Sequence, residues 1–439
     1  MRKWISLLLI ALLAFNLAAC SAPSESAPAD GDGNSGGAVP ADSSAQTEQV
    51  TITFMAQAGS PPCMYTLIDQ FEEENPGIKV EVNEVAANDT YDQLVLQTEA
   101  NAAPDVFMTF WTIDAATNGL AAELDAFMDM EEFDRRFTEA GQGYGEWEGH
   151  IYAIPYRSGC SVMFANATLF EQAGIALPYD GWTWEQFYAI AQELTDAQKG
   201  VYGYSICGDF SDTGTEWQFQ SLLLQAGCQL IDENNKAAFN TEGGVAAFTF
   251  IKSMMDAGII PPSIASTNVD QQGELMASGK LALFSDGPWF QSTIQEKAGD
   301  NYEIVALPMP TGVTSGSLAG GTALGMSSKS QNKEAAWRFI AFMTSDGSLN
   351  YWCEEFGQVS PLREAGDSDY FQTDDYKIKQ QQLLDPGTIV ANHYPDSSAL
   401  NAIMRGYIQA VYLGEMEPKA ALDAAAQEWN AILDEYYTE

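Results

Sequence analysis

The chain has 439 residues, of which 46% are apolar and 11% aromatic, so a sizeable core and more than one domain are within its means. Sixty-one acidic residues against nineteen lysines and arginines leave a formal charge of −42, which makes nucleic acid and anionic lipid surfaces poor partners. With two histidines in all, His150 and His393, a His-rich metal site is excluded.

Met1-Arg2-Lys3 precedes an apolar run from Trp4 to Ala14. Positive charge ahead of a short apolar core is the layout of a secretory signal, too short for a comfortable membrane span. The run ends in Leu17-Ala18-Ala19-Cys20, the bacterial lipobox pattern. Residues 1–19 are therefore expected to be a lipoprotein signal peptide, and Cys20 the lipidated residue of the mature chain. Several acyl chains on one Cys give durable anchoring. From Ser21 to Gln46 the composition is Ser, Ala, Pro, Gly and Asp, which buries too little apolar surface to fold, so 20–48 reads as a lipidated Cys and flexible linker.

From Gln49 to Phe54 the pattern alternates and predicts a strand; Ser60–Glu74 predicts a helix ending before Asn75-Pro76-Gly77. Ile78–Val85 is a second alternating strand, Tyr91–Ala102 a helix and Asp105–Phe110 an apolar strand. Val201–Ile206, Leu281–Phe284 and Ile304–Ala306 continue the series, separated by helical stretches. Strands alternating with helices predict an α/β fold with a largely parallel sheet. Apart from Cys20 there are five cysteines, Cys63, Cys160, Cys207, Cys228 and Cys353, an odd and widely spaced set unlike a disulfide framework. If one pair forms, Cys207 with Cys228 is the expectation. Asp232-Glu233-Asn234-Asn235 lacks EF-hand spacing and reads as a hairpin-type turn.

Eight fragments fall in an order that resembles one known family: Phe71–Val80, Ala103–Val106, Trp147–Tyr156, Asn166–Gly174 with Trp182–Phe187, Met276–Ala282, Gly287–Trp289, Gly320-Gly321 and Lys333–Ile340. They are similar to the extracellular sugar-binding proteins of ABC importers, the maltose-binding-protein-like family 1 of solute-binding proteins, over about residues 50–435. The resemblance implies an α/β, two-lobed periplasmic-binding-protein type II fold with an interlobe ligand cleft. It implies crossovers near Tyr156–Ser158, Val305–Pro308 and Thr344–Asp346. The lobes are then discontinuous: 49–157 plus 306–345, and 158–305 plus 346–439. It further implies a monomer on the extracellular face of the cell membrane, anchored at Cys20. That monomer would close on a mono- or oligosaccharide and deliver it to the permease subunits served by a cytoplasmic ATPase.

A sugar offers flat C–H faces to aromatic rings and hydroxyls to planar hydrogen-bonding groups. Open α/β sheets bind ligands at the carboxyl ends of their strands. Gln57 follows the first strand, and Trp111 and Asp114 follow the strand ending at Phe110. Tyr156 and Arg157 sit at the first crossover, Trp217 in the stretch after Gly208, and Asp286 and Trp289 flank Gly287-Pro288. Gly320 and Gly321 are expected to let backbone amides approach the ligand closely. His393 and Tyr394 occupy a late loop within reach of a cleft, whereas Trp182 and Trp184 read as a packing motif at a helix start. No catalytic residue, cofactor or metal is expected.

A secreted glycoside hydrolase needs two carboxylates at a set separation, and among 61 acidic residues such a pair carries no information. HExxH, GxxxxGK[ST] and Cys–His patterns are missing, and a GxSxG spacing falls only in the linker stretch, at Gly33–Gly37. A polyamine or other cationic solute suits acidic and aromatic cleft residues, but Arg157 opposes it. A surface adhesin or sensor on the same fold stands as a further alternative.

Overall fold

The structure, a computed structural model, describes residues 49–438. The expected signal peptide, the lipidated Cys20 and the linker up to residue 48 lie outside the described residues.

The strands, in chain order, are β1 (Val50–Gln57), β2 (Ile78–Val85), β3 (Val106–Thr109), β4 (Glu146–Trp147), β5 (His150–Ile151), β6 (Ala153–Cys160), β7 (Val162–Asn166), β8 (Tyr202–Tyr204), β9 (Leu281–Asp286), β10 (Ile304–Leu307), β11 (Leu318–Met326) and β12 (Ile389–Val390). A six-stranded sheet runs β12-β11-β3-β1-β2, with β6 on β11 as well, and a four-stranded sheet runs β10-β7-β9-β8. Edge strand β2 buries Ile78 and Val80 and exposes Lys79 and Glu81, the period of a sheet covered on one face. Strand β7 is buried throughout: Val162 and Phe164 join one apolar cluster, Met163 and Ala165 another. It is thus covered on both sides.

Helices supply that cover. Pro62–Glu74 starts behind Pro61 with a proline in its first turn, where no intrahelical N–H is lost. It buries Met64, Leu67, Ile68 and Phe71, spaced i, i+3, i+4, i+7. Phe71 meets Phe339 edge-on at 5.2 Å, and Phe339 meets Phe54 of β1 at 5.2 Å, so helix, helix and strand share one aromatic contact. Thr183 and Gln186 form a capping box at the start of helix Trp184–Leu194. Trp182 donates from Nε1 to the Pro308 carbonyl at 2.8 Å and Trp184 stacks on Phe250, so both tryptophans pack at that helix start as expected.

Three expectations need correction. The sheets are mixed: β1–β2, β1–β3, β11–β12 and β8–β9 are parallel, but β11 runs antiparallel to β3 and β6, and β7 antiparallel to β9 and β10. Chain segments returning from the other half enter reversed, which strand–helix alternation cannot reveal. The chain changes sheets close to two of the three expected places and not at the third. It passes from the first to the second at Ser161, between β6 and β7, and back between β10 and β11. It does not leave again at Thr344–Asp346: helix Asp346–Phe356 packs on Pro62–Glu74 and β6, and β12 bonds to β11 in the first sheet. Finally, Cys63, Cys160, Cys207, Cys228 and Cys353 are all free and buried. The Cys207 thiol contacts Gln272 and the Cys228 thiol Thr241, in separate surroundings. The stretch Asp232–Asn235 is a turn, with the Asp232 carboxylate accepting the Asn234 and Lys236 amides.

Candidate ligand-binding site

A cavity of about 490 Å³ lies where the ends of β1, β9 and β11 meet helix Gly214–Gln225. Eight of the ten expected residues line it: Gln57, Trp111, Arg157, Trp217, Asp286, Trp289, Gly320 and Gly321.

The other two do not. Tyr156 is fully buried behind β6, its ring 4.5 Å from that of Trp352. Strand alternation turns Tyr156 inward at the position before Arg157, which faces the cavity. Asp114 is fully buried as a helix cap. Its carboxylate accepts the Ser397 amide at 2.9 Å, the Ser397 hydroxyl at 3.0 Å and the Ser398 amide at 2.9 Å, at the start of helix Ser397–Tyr412. Burial raises its pKa, opposed by those same donors. His393 and Tyr394 also miss the cavity: His393 abuts the Trp147 ring, and Tyr394 is buried against Trp429.

The wall from the first sheet carries hydrogen-bonding groups. Arg157 donates from Nε to the Thr322 hydroxyl and from its guanidinium to the Gln57 side-chain oxygen. Burial lowers its pKa to about 10, so it is a cation at neutral pH. Among the described residues no carboxylate pairs with it.

The opposite wall carries rings and carboxylates. Trp217 and Trp289 meet with centroids 5.7 Å apart at 58°. This is too close for a sugar to enter between them, so they form one bent apolar face. Asp286, at the end of β9, accepts the Gly287 amide at 2.6 Å and Gln218 Nε2 at 3.1 Å. Burial outweighs those bonds and lifts its pKa to about 7. Glu216 pairs with Arg405 at 2.8 Å, yet burial still lifts its pKa to about 8. Asp212 spends both oxygens on the amides of Gly214 and Val269.

The two glycines also make room for neighbouring protein groups. A Cβ on Gly320 would lie 2.3 Å from the Trp217 ring, and one on Gly321 2.2 Å from the Arg157 carbonyl oxygen. The space they leave is filled by protein.

Sequence reasoning missed Asn88, Glu216, Gln220, Asn392 and Asn401, which also line the cavity. Gln220 Nε2 donates to Asn401 (2.8 Å) and Asn401 Nδ2 to Asn392 (2.7 Å). Glu216 adjoins Trp217 and could have been flagged by that neighbour. Asn88 lies just past the end of β2 and shares the strand-end signal, whereas Asn392 and Asn401 come from far along the chain and carry no local signal.

A mixed two-sheet chain with a cavity between the sheet ends is the two-lobed type II periplasmic-binding-protein fold. The family described as bacterial extracellular solute-binding protein matches residues 62–349, and the chain belongs to it. It is 27% identical to a binding protein of Brucella abortus (strain 2308), over 89% of this chain and 95% of that one. It is 24% identical to the galactooligosaccharide-binding protein of Bacillus subtilis (strain 168), over 81% and 83% of the two chains. An ABC transporter solute-binding protein of Thermotoga lettingae, solved with alpha-D-tagatose, superposes with a TM-score of 0.81 at 25% identity, covering 88% of this chain and all of that one. The family and these relatives are binding proteins.

Proposed function

We propose that this chain captures a sugar outside the cell and delivers it to the permease of an ABC importer. It would act as a monomer held at the membrane by lipid on Cys20. The observation that carries the reading is the pairing of the Trp217–Trp289 face with the Arg157–Gln57–Thr322 group in one cavity. Indole faces stack on the C–H side of a pyranose, while the guanidinium and amide serve its hydroxyls. The galactooligosaccharide and tagatose in the names of two relatives support the same ligand class.

Asp212, Glu216, Asp270 and Asp286 in the lining favour a second reading, a polyamine or other cation. Against it, Arg157 places an unneutralised charge in the same cavity, and Asp212, Asp286 and Glu216 already hold protein donors. A thermal-shift screen of mono- and oligosaccharides alongside putrescine and spermidine separates the two, because a ligand of the native state raises Tm. A sugar should raise it. A shift with polyamines alone would sink the sugar reading.

A further inference from the structure

The Trp217–Trp289 face stands on strands it does not belong to. Gly320 of β11 is the register partner of Gly159 of β6, so two glycines lie side by side in the first sheet. A Cβ on Gly320 would sit 2.3 Å from the far end of the Trp217 ring; one on Gly159 would sit 2.6 Å from the Pro288 ring and 3.4 Å from the Trp289 ring. Neither glycine has a positive φ, so the backbone does not demand glycine at either place. The contact with the second lobe's rings does. Gly321 differs, since its missing Cβ faces main-chain oxygen, which cannot yield.

We propose that the Gly159–Gly320 pair is a positioning device: it lets Trp217 and Trp289 seat down on the sheet and so sets the depth of the cavity and the number of sugar rings admitted. This rests on the sugar reading above. A methyl on Gly320 forces the Trp217 indole off the strand, and the open space available to it is the cavity it lines. The indole then takes room that a longer sugar needs, while a single ring still fits.

The test is Gly320→Ala in the full chain, read by near-UV circular dichroism without ligand and by calorimetry with a monosaccharide and the matching trisaccharide. The dichroism should change, because the two indoles reorient. Affinity for the trisaccharide should fall about tenfold or more and for the monosaccharide less than about threefold. In a Trp217→Ala background the added Gly320→Ala should cost nothing further, since the contact is gone. An unchanged spectrum, an unchanged ratio of the two affinities, or an undiminished effect without Trp217 would overturn the proposal. If Gly320→Ala fails to fold, recovery on adding Trp217→Ala supports the seat and continued failure overturns it. If wild type binds no sugar, the sugar reading falls, and the ligand-free spectra alone decide the seat.

Discussion

Asp286 is a carboxyl that the fold keeps at about pH 7 by burial, against roughly 3.9 in an unfolded chain. A raised carboxyl pKa makes the ionised form costly in the folded state. Below about pH 4 the group is protonated in both states and the cost is absent; it grows as pH rises toward 7 and is complete above that. Asp286→Asn removes it. The stability of the variant relative to wild type should therefore climb between about pH 4 and 7, by on the order of 4 kcal/mol at most. Urea melts across that range measure it, and a difference that is flat with pH contradicts the assignment. Trp289 acts on the ligand instead. Trp289→Ala should cost about 2 kcal/mol of binding, roughly thirtyfold in Kd, with the melting curve nearly unmoved. Unchanged affinity by calorimetry would remove Trp289 from the site. At this scale much of the site was legible in the sequence: tryptophans and polar residues just past strand ends are placed by sheet geometry. Tyr156 and Asp114 were misplaced because one residue's shift in a strand reverses its face, and because a carboxylate that will cap a helix 283 positions away looks like any other.

Among elements, helix Ser397–Tyr412 begins at Asp396, a residue in the left-handed region whose side chain makes no cap bond. The cap comes from Asp114 in the short helix Thr112–Thr117 past β3, and this ties the two parts of the chain together. Asp114→Ala leaves the Ser397 and Ser398 amides without that acceptor and should cost about 2 kcal/mol of stability. A urea midpoint equal to wild type would show the cap to be idle. Legibility at this scale followed chemistry. Strands β1 and β2 announce themselves by alternating β-branched residues. Strand β11, central to the first sheet, reads Leu-Ala-Gly-Gly-Thr-Ala-Leu-Gly-Met and gives no such signal. Its small residues answer to contacts, with Trp217 over Gly320 and Phe107 over Gly325, rather than to strand propensity. The order of strands and their direction rest on pairings between distant segments, so local pattern could not reveal the antiparallel partners of β11.

For the whole molecule, the two lobes meet across hydrogen bonds as well as across the cavity. Thr213 donates to Asn88 at 2.9 Å, joining the start of helix Gly214–Gln225 to the turn after β2 at the rim. A ligand that touches both walls adds its binding energy to such contacts and shifts the population toward closure by its differential affinity for the two states. The central claim, that a sugar is held between the lobes and closes them, is tested most directly by small-angle X-ray scattering of the purified protein, with and without a saturating sugar taken from the thermal screen. A smaller radius of gyration is expected with the sugar bound; curves that superpose at saturation would rule closure out.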